Sequence, residues 1–254
     1  MRFRSRSIRS RWGCALPVLA AVLIAGCGGG SSSGTTKVGG ADVRDARTLA
    51  ATRTATGTSS TPTTTQTAAK DKLFAGIPQH GYELGAPDAP RKVLEFVDLQ
   101  CPFCKQFSLS TLPVSLDPVR AGKVKLVLRT LTFIGPDSEV AARWAAGAAQ
   151  QNRLWEFVHQ FYLAQQQENS GYVTPAFLAQ VSRDAGVDPD AAERFAATPA
   201  SKVPLAEAQA GAERYNVVST PSFVAGPSGG PLKLADIDIS DRPGFQQLLL
   251  GTGP

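Results

Sequence analysis

The stretch "VLEFVDLQCPFCKQF", residues 93–107, joins a compact apolar run to two cysteines with two residues between them. The run "RKVLEFVDL", rich in Val, Leu and Phe, predicts a buried strand, and "KVKLVLRTL" (123–131) predicts a second. Between them, the spacing predicts a helix that opens at Cys101, with Pro102 in its first turn, and that breaks near Pro113 to Pro118. A strand, a helix and a strand in this order favour a parallel β-pair.

Downstream of this unit the pattern is first helical and then returns to strands. Helix starts are marked by Thr174 before a proline and by Asp188 before another. The strand-like "NVVSTPSFVAG", an edge strand in "GPLKLADI" and a helix around "GFQQLLL" follow. The fold class is therefore predicted as α/β, a thioredoxin-like fold with a helical insertion at about residues 136–200, in a domain spanning 71–254.

The N-terminal residues predict export. Arginines precede an apolar run from Ala15 to Ala25, which is typical of a signal peptide over residues 1–26 and too short to span a bilayer as a helix. "IAGC", residues 24–27, resembles a lipobox, which implies lipidation at Cys27; an ordinary signal peptide with a chance cysteine is the alternative. Residues 27–70 are mainly Gly, Ser, Thr and Ala and predict a disordered tether.

The net charge of +5 does not indicate an anionic partner. Five of the 26 Lys and Arg residues lie in the predicted signal, which contains no acid, so the rest of the chain balances its 21 Asp and Glu residues. This balance removes the main compositional argument for nucleic-acid binding.

Of the four cysteines, only Cys101 and Cys104 remain for the folded domain once Cys14 leaves with the signal and Cys27 is lipidated. A metal site would need more ligands than the chain's two histidines offer, and haem attachment would need a histidine where Lys105 stands. An inert disulfide or a reduced core pair stays open. Redox chemistry is favoured, because a thiol at a helix N-terminus has a stabilised thiolate and a second thiol one turn later can resolve a mixed disulfide.

The stretch "LGAPDAPRKVLEFVDLQCPFCKQF" together with "VSTPSFV" resembles the DsbA-like thiol–disulfide oxidoreductases, over about residues 80–254. The resemblance implies that Cys101 is the nucleophile and Cys104 the resolving thiol of a redox-active disulfide. It also implies that Glu95 is a buried acid beneath them, with a strand carboxylate facing solvent as the alternative. Thr220 and Pro221 match the family's cis-proline dipeptide, which lies against the disulfide and binds substrate.

The dipeptide between the cysteines departs from the best-known member type, which has Pro-His. Phe103 replaces the histidine, so we expect a less depressed pKa at Cys101 and a weaker oxidant, with Lys105 as a partial substitute and Phe103 as an apolar contact for substrates. Asp98 is interpreted as polar surface and His159 as a surface residue. Four aromatic side chains are expected in the helical core: Trp144, Trp155, Phe157 and Phe161.

These observations predict an extracytoplasmic, lipid-anchored thiol–disulfide oxidoreductase, acting as an oxidase on exported cysteine-containing proteins. We expect a monomer that is recycled by a membrane redox partner and needs no organic cofactor and no metal. The alternatives are a reductase or isomerase of the same fold, and a non-catalytic binding or chaperone module. The sequence leaves open the direction and potential of the reaction, the substrates and partner, the number of envelope membranes and modification of the tether.

Overall fold

The computed structural model describes residues 72–252, so the predicted signal, Cys27 and all of the predicted tether lie outside the described residues. Six strands form one sheet in the order β1-β2-β4-β3-β5-β6. Strands β3 and β4 are parallel, as predicted, and every other neighbouring pair is antiparallel. The strands are β1 (Gln79–His80), β2 (Glu83–Leu84), β3 (Arg91–Asp98), β4 (Val124–Leu131), β5 (Ser222–Pro227) and β6 (Lys233–Ala235).

Strand β3 carries apolar side chains on both of its faces, because both faces of the sheet are covered there. Val93 and Val97 face the larger core cluster, which also contains both cysteines of the CPFC stretch. Leu94 and Phe96 face a smaller cluster on the opposite side of the sheet, which is covered by the helix Val203–Tyr215. The alternation therefore places Glu95 on the same face as Val93 and Val97.

Helices cover both faces of the sheet. The first begins at Pro102, directly after Cys101, and ends before the prolines that were expected to break it, where a 3-10 turn at Leu112–Val114 follows. A second 3-10 turn lies at Pro199–Lys202. The α-helices are α1 (Pro102–Ser110), α2 (Asp117–Arg120), α3 (Pro136–Gln150), α4 (Leu154–Ala164), α5 (Pro175–Asp184), α6 (Pro189–Ala196), α7 (Val203–Tyr215) and α8 (Arg242–Leu250).

The helical block between β4 and α7 starts its elements where the sequence indicates. The Thr174 side chain accepts a hydrogen bond from the Phe177 N–H at the start of α5, and Asp188 accepts from two N–H groups at the start of α6. The four aromatic side chains expected in the helical core are all buried: Trp144, Trp155, Phe157 and Phe161.

Two features at the N-terminal end of the domain differ from the expectation. The β1–β2 hairpin consists of two-residue strands, which are too short to leave a periodic signal in the sequence. His159 is not a surface residue: it is half-buried, and its ring lies edge-on to Phe74, with 6.0 Å between the ring centroids. The periodicity of α4 could not show this, because Phe74 comes from a segment far away in the chain. Burial lowers the pKa of His159.

Candidate active site

The two cysteines lie at the carboxyl end of β3, where α1 begins. Cys101 is the N-cap residue of α1, with extended backbone angles, and its sulfur accepts a hydrogen bond from the Cys104 N–H at 3.4 Å. Both thiols are free, and both residues are buried, at 4% exposure for Cys101 and 1% for Cys104. Proline in the first turn fits this geometry, because the N–H that it lacks would have no partner inside the helix.

Hydrogen bonds lower the pKa of the Cys101 thiol to about 6. The largest contribution comes from the Cys104 side chain, burial opposes it, and the Thr220 side chain and the backbone of Cys104 and Phe103 lower the pKa further. Donors at a helix start, rather than a neighbouring cation, thus stabilise the thiolate. At neutral pH most of the Cys101 thiols would be ionised.

Cys104 behaves in the opposite way. Burial raises its pKa well above the ordinary value, and the hydrogen bond and negative charge of Cys101 raise it further. The pair therefore holds one thiolate near the surface and one protonated thiol beneath it. This asymmetry suits thiol–disulfide exchange. The thiolate is the nucleophile, and the protonated second thiol stays unreactive until a mixed disulfide has formed.

Glu95 lies inside the protein, at 3% exposure, in the centre of the sheet between Leu128 and Phe223 of the flanking strands. Burial raises the pKa of its carboxyl to about 8, and its Oε2 atom has no hydrogen-bond partner among the described residues. The solvent-facing alternative for this residue is wrong. The carboxyl is neutral near pH 7 and can take up or release a proton close to physiological pH.

The Thr220–Pro221 peptide bond is cis, as the resemblance implies. The loop that carries it follows the end of α7 and leads into β5. The Cys101 thiol donates a hydrogen bond to the Thr220 carbonyl oxygen at 3.3 Å, so this loop directly contacts the reactive sulfur. Phe103, on the first turn of α1, is 59% exposed, and Val218, which the sequence analysis did not single out, is 81% exposed.

Asp98 is not polar surface: it is fully buried. Its carboxylate accepts hydrogen bonds from the Gln100 N–H at 2.9 Å, the Ser138 hydroxyl at 2.7 Å and the Ile134 N–H at 3.0 Å. Its backbone carbonyl accepts one from the Tyr162 hydroxyl at 3.2 Å. Both faces of the sheet are covered, so the side chain meets the loop before α3 and the first turn of that helix instead of solvent.

Gln165, just past the end of α4, was also missed. Its Nε2 atom donates hydrogen bonds to the carbonyls of Leu99 at 2.7 Å and Cys101 at 3.2 Å. Its own carbonyl accepts from the Lys105 ammonium at 3.0 Å, so the cation expected to assist the thiolate is held by this residue. No sequence pattern marks a glutamine outside a helix as a partner of a loop more than sixty residues earlier.

Within residues 72–252 there is no group of three His, Cys, Asp or Glu side chains that could hold a metal ion. In the same residues, no helix is both long and apolar enough to cross a membrane.

The family model described as thioredoxin matches residues 79–228, which is more than half of the chain. The chain belongs to this thioredoxin family.

Among this family's curated proteins, the chain is 34% identical over 123 residues to the probable disulfide bond formation protein D of Bacillus anthracis, an alignment covering 45% of this chain and 55% of that protein. It thus spans about half the length of that relative. Among solved structures, oxidised BdbD from Bacillus subtilis aligns with a TM-score of 0.59 at 22% identity, covering 68% of this chain and 95% of that chain. Chlamydia trachomatis DsbA aligns with a TM-score of 0.57 at 19% identity, covering 67% and 90%.

These likenesses establish the fold as the DsbA-like form of the thioredoxin fold, with helices inserted between β4 and α7. In this thioredoxin-family chain, β3, α1 and the cis-proline loop meet at the carboxyl end of β3, in the middle of the sheet. The arrangement brings together Cys101, Cys104, Thr220 and Pro221, with Phe103 exposed beside them. Chemically, it can stabilise a thiolate, keep a second thiol protonated and present an open backbone beside the sulfur.

Proposed function

We propose that the protein is an extracytoplasmic thiol–disulfide oxidoreductase that uses its CPFC motif to form disulfides in exported proteins. One observation carries the proposal: the Cys101 sulfur sits at the N-cap of α1 in contact with the cis-proline loop, while Cys104 lies buried behind it. The names of two relatives, the disulfide bond formation proteins D of Bacillus anthracis and Bacillus subtilis, agree with this function.

The reaction begins with the oxidised Cys101–Cys104 pair. A substrate thiolate attacks the Cys101 sulfur, the Cys101–Cys104 bond breaks, and Cys104 leaves with the electron pair and is protonated. A second substrate thiolate then attacks the sulfur of the first substrate cysteine in this mixed disulfide, which forms the substrate disulfide and releases Cys101 as a thiolate. The substrate loses two electrons, and the protein's pair gains them. Hydrogen bonds to the Cys101 sulfur favour its departure, because a thiol of lower pKa leaves faster.

The buried groups have separate tasks in this scheme. Strand alternation puts Glu95 on the face of the sheet that packs against the core cluster containing both cysteines, and its pKa of about 8 would allow it to exchange a proton while Cys104 changes between leaving group and thiol. Substrate contacts come from the surface around the sulfur. Phe103 and Val218 offer apolar contacts to an unfolded chain, and the half-buried Thr220–Pro221 backbone can pair with an extended segment.

The direction of the reaction is proposed as oxidation. The pKa of Cys101, at about 6, lies between the values of about 3.5 for the strongly oxidising DsbA and about 7 for thioredoxin. A more stable thiolate makes the reduced pair more stable, and hence the disulfide a better oxidant. Phe103 in place of histidine agrees with this intermediate value. A reductase is the second candidate, because the Cys101 pKa is nearer to that of thioredoxin.

The sequence supports a location outside the cytoplasm, at the end of a lipidated tether. The arginine-rich start, the apolar run and "IAGC" at residues 24–27 carry this part of the proposal, and all of them lie outside the described residues. We also propose that the protein acts as a monomer on exported cysteine-containing proteins and that a membrane redox partner restores its disulfide.

The test of the proposed chemistry is trapping of the mixed disulfide. With Cys104→Ser, the Cys101 thiolate should attack oxidised glutathione and keep the glutathione in a stable mixed disulfide, because no resolving thiol remains. With Cys101→Ser, the buried, protonated Cys104 should form none. Both variants should oxidise a reduced, unfolded, cysteine-containing protein no faster than buffer does.

Mass spectrometry of the adducts and thiol counting on the substrate give these results. A Cys101→Ser protein that keeps the wild-type effect on unfolded substrates would instead identify a binding or chaperone module.

A further inference from the structure

A segment of the helical block lies across the turn that presents Cys101. We call residues 165–169, which follow α4, the strap. Its first residue, Gln165, donates through Nε2 to the carbonyls of Leu99 and Cys101, at 2.7 and 3.2 Å. Its last residue, Asn169, donates its backbone N–H to the Gln100 side-chain oxygen at 2.8 Å. Three consecutive residues of the active-site turn are therefore held by one short segment.

The strap is itself fixed at both ends. The Lys105 ammonium, on α1, donates to the Gln165 carbonyl at 3.0 Å. At the other end, the Asn169 Nδ2 donates to the Ile134 carbonyl at 3.3 Å. Gln165 is buried, at 9% exposure, so its amide is shielded from competing water.

We propose that Gln165 is a positioning residue for thiol–disulfide exchange, which holds the Leu99 and Cys101 carbonyls so that the Cys101 sulfur keeps its place beside the Cys104 N–H. This inference rests on the proposed function and extends it from the sheet and α1 to the helical block. Gln165 does not touch the sulfur or the substrate in this role; it acts through the backbone of the turn.

The geometry at the sulfur explains why positioning matters. The Cys104 N–H reaches the Cys101 sulfur at 3.4 Å, and a hydrogen bond weakens steeply when its distance or angle is disturbed. The Cys101 N–H is bonded to the Asp98 carbonyl at 3.0 Å, and the Cys101 carbonyl accepts the Lys105 N–H at 3.1 Å. Gln165 supplies two of the hydrogen bonds that link this turn to the helical block, and both reach its backbone carbonyls. Without the amide, the Leu99 and Cys101 carbonyls would lose these donors, and the turn would move towards solvent so that water could replace them.

The test compares Gln165→Met, which keeps the length of the side chain and removes its donors, with Gln160→Met as the matched control. Gln160 lies on α4, is 7% exposed and makes no hydrogen bond to residues 99–101 in the part of the chain that the structure describes. Gln165→Ala serves as a second variant in case the thioether packs poorly. The readouts are the thiolate absorbance of Cys101 against pH and the equilibrium with glutathione, in which the protein disulfide and two glutathione thiols give the dithiol and glutathione disulfide.

Loss of the amide should raise the pH at which the thiolate forms and lower the equilibrium constant for reduction of the protein by about three- to tenfold, the effect expected for one or two hydrogen bonds. The control should leave both unchanged. A thermal unfolding midpoint that falls while the titration and equilibrium stay at wild-type values would overturn the proposal, and so would failure of both Gln165 variants to fold, because Gln165 would then be structural only. A wild-type protein that does not equilibrate with glutathione would refute the proposed function itself, independently of Gln165.

Discussion

Cys101 and Cys104 are three residues apart, yet their surroundings change their pKa values in opposite directions. Cys101 receives hydrogen bonds at the start of α1, which lower its pKa to about 6, whereas burial raises that of Cys104. The same burial raises the pKa of Glu95 to about 8. Burial and hydrogen-bond donors, rather than neighbouring cations, therefore support the proposed roles of Cys101 as nucleophile, Cys104 as resolving thiol and Glu95 as proton reservoir.

The raised pKa of Glu95 predicts a pH-dependent gain in stability for Glu95→Gln. The ordinary pKa is 4.5, so between about pH 4.5 and 8 the folded protein keeps a proton that the unfolded chain has released. Stability from this group is full below that range and is lost as the pH rises through it, at up to about 1.4 kcal/mol per pH unit. Glutamine does not titrate. The difference in free energy of unfolding, variant minus wild type, should therefore rise by a few kcal/mol in total across this range and stay constant above about pH 8.

Urea unfolding of both reduced proteins at several pH values measures this difference, and the titration of Cys101 cancels because it occurs in both. A difference that does not change with pH would show that Glu95 is ionised in the folded protein at neutral pH.

How much of the site the sequence could predict depends on how local each signal is. Cys101, Cys104 and Pro102 follow from adjacent residues, and Pro221 was placed by resemblance to a family rather than by local physics. Asp98 was assigned to the surface because one face of the strand was expected to meet solvent, whereas both faces are covered. Its distant partners are Ile134 in the loop before α3 and Ser138 in the first turn of α3, and only the assembled fold shows them.

At the scale of elements, the position of α1 sets the chemistry. A helix that starts at the carboxyl end of β3 brings its free N–H groups to the sulfur of its own N-cap residue. The parallel β3–β4 pair and the capped helices of the block were predictable, because each has a strong local pattern. The β1–β2 hairpin was not, since strands of two residues carry no periodicity. The strap could not be predicted either, because a connection outside helices and strands has no periodic pattern in the sequence.

At the scale of the whole molecule, the sequence predicts an export signal and a polar tether ahead of the domain that carries the site. The proposed lipidation predicts that Cys27→Ala releases the protein from membranes, because no thiol would remain at position 27 to carry the lipid. Fractionation of cells followed by detection of the domain measures the change, with Cys14→Ala as the matched control that should stay attached. A Cys27→Ala protein that remains with the membrane would contradict lipidation at this residue.

The most direct test of the central claim is the redox potential of the Cys101–Cys104 pair. The purified protein is equilibrated with glutathione buffers, its free thiols are trapped, and the peptide containing both cysteines is quantified. A donor of disulfides should have a potential clearly above the value of about −270 mV for thioredoxin and, with Phe103 in place of histidine, below the value of about −120 mV for DsbA. A potential at or below that of thioredoxin would contradict the account, because such a pair would be kept reduced and would reduce its substrates rather than oxidise them.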